Sequence, residues 1–279
     1  MKPQFNNRLI SSFALWMDNL ICNNGQGYIN VTGTMMRETN PSVTGKSWAA
    51  PFKGWVYDSS VNGAYVISGV YNQSGQFLTR ASGVSFDFNR GRVYSPYDWG
   101  TTLSGVYSRK EYNVYVSTEE ETDFVLEKIK NENANLTYVQ TGVSFDRFAA
   151  PFILLTNAIN NNVPFAFGGL EESEKTLRAF VISDNNFNQE ALNSLLVDAN
   201  KSYLPLVAYS DVPINSRGDL KTGYYSYAAL KSQYGCGDVL VKDVFSYKTN
   251  EKENQNKNFT ISIMEFDVSK LRFPRQEIS

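Results

Sequence analysis

Histidine is absent from all 279 residues. That removes the commonest general base and the commonest transition-metal ligand. The two cysteines, Cys22 and Cys236, stand far apart with no C-x-x-C spacing. They are read as free thiols, and neither a zinc site nor a dithiol redox motif is expected. The chain contains no G-x-S-x-G, no G-x-x-x-x-G-K-[ST] and no G-x-G-x-x-G; Gly168-Gly169 reads as a tight turn. What remains is carboxylate chemistry. Asp87, Asp98 and Asp146 sit beside aromatic residues, as the acids of glycoside hydrolases do, but Asp also ends strands and starts turns. The expectation is a chain that is not an enzyme, with no catalytic residues, no cofactor and no bound metal.

Aromatic residues offer a different capability. Trp48, Phe52, Trp55 and Tyr57 lie close together, interrupted by Pro51 and Gly54. Such a set suits a protein–protein anchor or a sugar platform, and equally suits ordinary core packing. At the other end, Leu271, Phe273 and Arg275 place apolar anchors among charges. These seven residues form the candidate interface.

The elements that must position them are mostly strands. The hydrophobic fraction is 42%, enough for a proper core, and aromatic residues make up 14%. A formal net charge of −2 gives no basic excess of the kind that phosphate backbones require, so sequence-specific nucleic-acid binding is not expected. The N-terminal apolar stretch is broken by Asp18 and does not read as a signal peptide. No run approaches the ~18 apolar residues of a bilayer span, so no membrane partner is expected.

Along the chain, the apolar patch from Phe13 to Leu20 reads as a strand or one or two helical turns, and residues 37–53 as a loop. Strands are expected at 27–36, 54–58, 64–71, 83–94 (a hairpin turning at Asn89-Arg90-Gly91), 111–117, 135–145, 151–155, 177–183, 203–209, 239–247 and 258–268. Pro205 marks its strand as an edge or an irregularity. Helices are expected near 118–131, where Ser117 and Glu120 suit a capping box, near 189–200, and at 224–234 before Gly235. The fold class is therefore mixed α/β (α+β), β-rich with a few helices. The chain divides into a β-rich region at 1–116, an α/β region at 117–269 and a C-terminal arm at 270–279 without register of its own, or forms one continuous domain.

Two sets of short segments carry a resemblance. One runs F-A-L-W-M-D-N (13–19), G-Y-I-N-V-T (27–32), A-P-F-K-G-W-V-Y-D-S-S (50–60), G-A-Y-V-I-S-G-V (63–70) and G-R-V-Y (91–94). The other runs V-P-F-A-F-G-G (163–169), R-A-F-V-I-S-D (178–184) and L-L-V-D (195–198). Together they resemble virion structural proteins of tailed bacteriophages that sit in the neck or tail. The resemblance covers about half the chain, and its motifs are turns, so it transfers no functional residue. It implies a ring-forming connector, tail-completion or terminator-like subunit at the head–tail junction. Such a subunit is made in the host cytoplasm, ends in the virion, and contacts copies of itself and neighbouring neck or tail proteins. A carbohydrate- or receptor-binding module of a phage tail is the alternative, with a carboxylate-based glycoside hydrolase behind it.

Overall fold

The computed structural model describes residues 5–38, 46–116, 151–166, 169–214, 220–221, 223–248 and 260–272. Strands predominate, with three α-helices among the described residues, in a β-rich α+β arrangement of two curled sheets. The first sheet holds β1 (Tyr28–Glu38), β2 (Lys46–Ala49), β3 (Gly69–Asn72), β4 (Phe77–Thr79), β5 (Ser85–Asp87), β6 (Arg92–Ser95) and β7 (Thr102–Lys110). Its order is β4-β3-β7-β1-β2-β6-β5, and every pairing is antiparallel. The second sheet holds β8 (Asn113–Val116), β9 (Phe152–Ala166), β10 (Leu170–Ser183), β11 (Tyr203–Val207), β12 (Gly235–Lys248) and β13 (Thr260–Arg272). Its order is β11-β12-β13-β10-β9-β8, with only β8 and β9 parallel.

The helices are α1 (Phe5–Asn23), α2 (Asn186–Val197) and α3 (Tyr227–Tyr234). None of the described helices is long and apolar enough to cross a membrane. Every residue of α1 from Leu9 to Asp18 is buried. Because Ser11, Ser12 and Asp18 are buried along with the apolar residues, no clean polar face marks the helix in its sequence. This is why the 13–20 patch reads as a short element, whereas the structure has a 19-residue helix. One face of α1 meets the inward row of the second sheet. Phe13 packs edge-on to Phe266 with ring centroids 5.0 Å apart. Around them lie Leu155, Leu177, Ala179 and Met264, in the same cluster as Trp48, Trp55 and Tyr107 of the first half of the chain. A single core thus crosses position 116.

The turn at Asn89-Arg90-Gly91 closes β5 onto β6 with Asp87 opposite Arg92. Gly91 takes φ +65°, where a Cβ would run into the Phe52 carbonyl. Pro205 lies in β11, an edge strand whose register shifts between Pro205 and Val207. The helix expected near 189–200 starts earlier, because the Asn185 side chain caps it by accepting from the Asn188 N–H at 2.8 Å. The helix expected at 224–234 starts later, because Tyr225 bridges to Asp58 and Ser226 is the cap.

Three expectations are corrected. The 37–53 segment contains β2, held between β1 and β6. Residues 54–58 form no ladder strand and make only isolated bridges at Trp55 and Asp58. The arm at 270–279 does not begin free of register: Lys270, Leu271 and Arg272 pair with Ser173, Glu172 and Glu171 of β10. The helix near 118–131 and the strand at 135–145 lie outside the described residues.

Phe266 is fully buried against α1. Phe266→Ala is expected to cost ~3–5 kcal/mol in urea unfolding, the usual range for truncating a core phenylalanine, with the loss reporting detachment of α1 from its sheet.

Candidate functional site

A buried polar cluster forms where α1, the end of β7, residues 57–60 and the start of α3 meet. Asp18 stands on α1 one turn before its C-terminal end. Lys110 is the last residue of β7, opposite Tyr28 of β1; its backbone N–H donates to the Gly54 carbonyl at 2.8 Å. Their side chains are 3% and 1% exposed, and Lys110 Nζ lies 2.6 Å from Asp18 Oδ1. The Tyr57 ring covers the amine, with Nζ 3.2 Å from the ring centroid.

A second carboxylate adjoins this pair. Asp58 Oδ2 accepts from Asn19 Nδ2 at 2.7 Å. Its Oδ1 accepts from the Ser60 N–H at 2.9 Å, the Ser60 hydroxyl at 2.7 Å and the Tyr227 N–H at 2.9 Å. The last bond places a carboxylate at the N-terminus of α3, where orphan N–H groups and the helix dipole favour it. Main-chain bonds close the junction: the Ser59 N–H donates to the Tyr225 carbonyl at 2.7 Å, and the Tyr225 N–H to the Tyr57 carbonyl at 2.9 Å.

Burial governs the electrostatics. It pushes the Asp18 carboxyl above the usual carboxylate range, and the Lys110 charge only partly opposes it. Burial, aided by Asp18, raises the Cys22 thiol well beyond its ordinary value, so this cysteine is a packed thiol and not a nucleophile. The Tyr225 and Tyr227 hydroxyls are also raised, burial again being the largest cause. The Asp18–Lys110 pair is sealed from solvent, while Asn19 and Ser60 at the margin of the cluster are half-buried. The cluster fastens one helix, one strand end, one loop and a second helix start.

The sequence-predicted site residues fall in different places. Trp48 and Trp55 are fully buried and Tyr57 nearly so. The Trp48 indole N–H donates to the Gly100 carbonyl at 3.0 Å, and that of Trp55 to the Phe52 carbonyl at 3.0 Å. Trp55 and Tyr57 meet around Phe88, with centroids 6.2 and 6.4 Å away. As interface residues these three are corrected: their rings fill the core and present no face to a partner. Phe52 is partly exposed, with the Arg109 guanidinium 4.6 Å over its ring. Leu271 is half exposed near the end of β13; Phe273 and Arg275 lie outside the described residues.

The carboxylates considered for hydrolysis are engaged locally. Asp87 accepts from the Arg90 N–H at 3.0 Å, and Asp98 accepts from Arg37 Nη1 at 2.9 and 3.0 Å and from the Gly100 N–H at 3.1 Å. Asp146 lies outside the described residues. Both cysteines are free, Cys22 buried and Cys236 exposed. Among the described residues no group of three His, Cys, Asp or Glu side chains is placed to hold a metal ion. Sequence reasoning missed the Asp18–Lys110 pair. Its one signal was a lone carboxylate inside the apolar run F-A-L-W-M-D-N-L-I.

Alkaline conditions should expose the buried tyrosines. Tyr112, bonded to Ser183 Oγ at 2.8 Å, is pushed up to about 12 from an ordinary 10.0, mainly by burial. Tyr225 and Tyr227 move the same way. The folded chain keeps protons that the unfolded chain releases, so their contribution is intact below pH 10.0 and declines as pH rises toward 12. The urea midpoint should fall across that window, and Tyr112→Phe should flatten the fall. A flat midpoint would contradict this.

No known protein-family model matches this chain, and no curated protein sequence matches it.

Proposed function

We propose that the chain is a structural subunit of a tailed-bacteriophage virion, forming a ring at the head–tail junction through contacts between copies of itself and with neighbouring neck or tail proteins. The observation that supports this reading is the edge of β9, which beyond Leu155 has no strand beside it among the described residues. Strand β8 pairs with β9 only from Phe152 to Leu155, yet β9 continues to Ala166 alongside β10. Among the described residues, no strand lies beside the rest of that edge. Its end carries exposed Val163 and Phe165. An unpaired strand edge with apolar side chains is a template for a strand from another chain, and Pro164 limits how far such pairing can run.

The outer face of the first sheet adds apolar surface. Tyr71 and Phe77 are cross-strand partners with ring centroids 4.8 Å apart, and Met36 and Val106 are exposed nearby on β1 and β7. A chain that uses such apolar surfaces for assembly needs no chemistry.

Light scattering coupled to size exclusion, followed by negative-stain imaging, should find closed rings of the purified protein. Phe165→Asp with Val163→Asp should give a folded monomer with unchanged circular dichroism. Truncation after Arg272, which leaves β13 whole, should also preserve the fold and impair assembly. A monodisperse wild-type monomer at high concentration would count against the ring.

The Tyr71–Phe77 pair favours one second reading, a glycan- or receptor-binding module, since two tilted exposed rings suit a sugar face. In that case the monomer should bind a glycan panel and Tyr71→Ala should abolish binding with the fold intact.

A further inference from the structure

We propose that Lys110 and Asp18 condense within the folded chain to form an isopeptide bond between Lys110 Nζ and Asp18 Cγ. The inference does not depend on the virion reading. It rests on the distance, sealing and surroundings of this pair. With Nζ 2.6 Å from Oδ1, the amine is in contact reach of Cγ across a sequence separation of 92 residues. Two groups held in this way react as if at very high local concentration. The Tyr57 ring, 3.2 Å from Nζ, keeps the amine over the carboxyl. Asp18 Oδ2 accepts no hydrogen bond among the described residues, so it is not fastened elsewhere.

The step balances without a co-reactant. One proton passes from the Lys110 ammonium to the Asp18 carboxylate, giving a neutral amine and a neutral acid. The amine lone pair adds to Cγ and a C–N bond forms. The C–O bond to the protonated oxygen breaks, and the remaining amine proton that must be lost leaves with that oxygen. The products are one secondary amide and one water, with no oxidation or reduction. Burial pushes the Asp18 carboxyl toward its neutral form, the form whose Cγ the amine can attack. Exclusion of solvent also protects the amide from hydrolysis.

The other ion pairs act as internal controls. Arg92 with Glu38 is largely buried but offers a guanidinium, which is a poor nucleophile. Lys242 with Glu172 and Glu174, and Lys248 with Glu190, have the right groups but are open to water, with exposures between 28% and 63%. Only Lys110–Asp18 combines an amine, a carboxyl and sealing among these pairs.

The test is intact mass of the full, folded chain measured after denaturation, followed by proteolysis and fragment sequencing. The expected result is a mass lower than the sequence mass by one water, and a branched peptide joining the fragments that contain Asp18 and Lys110. Lys110→Arg should restore the full mass. Because the branched peptide is sought in the wild-type chain, the test stands even if that variant folds poorly. A wild-type chain at full mass would overturn the proposal, leaving an ordinary buried ion pair. A missing water located elsewhere, such as a succinimide at another Asp, would overturn it equally.

Discussion

Enclosure of α1 is the constraint from which the rest of the architecture follows. A helix buried without interruption from Leu9 to Asp18 has no solvent face on which to place polar groups. Each of its polar side chains must find a partner inside the protein, since a buried polar group left unpaired is costly. Ser12 Oγ accepts from the Val207 N–H at 3.0 Å, tying α1 to the edge strand β11. Asn19 donates to Asp58 and Asp18 meets Lys110, tying it to the first sheet and to the start of α3. Its apolar side chains meet the second sheet, with Phe13 against Phe266. The helix therefore packs on the second sheet and is joined to the first through the Lys110 ion pair at the end of β7.

That arrangement also explains why the charged cluster is internal. Strand β7 leaves the first sheet at Lys110 and the chain enters β8 of the second sheet at Asn113. The crossing sits under α1, so the residue at the strand end is carried inward. A lysine there needs a carboxylate, and α1 supplies one at the matching height. The Tyr57 ring and the Asp58 capping contact close the remaining sides. What is left for recognition is on the outside: strand edges, the exposed rings of the first sheet, and the half-exposed end of β13.

Turn chemistry and alternation were legible in the sequence. The β5–β6 hairpin follows from Asn-Arg-Gly, because only glycine enters the close left-handed position beside the Phe52 carbonyl without strain. β11 follows from its residue types, and its edge position from Pro205, which cannot donate to a ladder. The helices at Asn186–Val197 and Tyr227–Tyr234 follow from periodicity, but their starts, set by Asn185 and Ser226 as caps, differ from where periodicity placed them.

Tertiary structure alone decided the rest, because it depends on distances between residues far apart in the chain. The α1 run has no clean period to read, since its enclosed stretch buries Ser11, Ser12 and Asp18 together with their apolar neighbours. Trp48, Trp55 and Tyr57 have the composition of an interface, yet β2 and the segment after it carry them into the core. The sequence by itself determined a β-rich chain without histidine, with its turns and two of its helices. The pairing of Asp18 with Lys110 was beyond it, because a lone carboxylate in an apolar run does not name its partner and the buried junction that joins them is created only when α1 is enclosed.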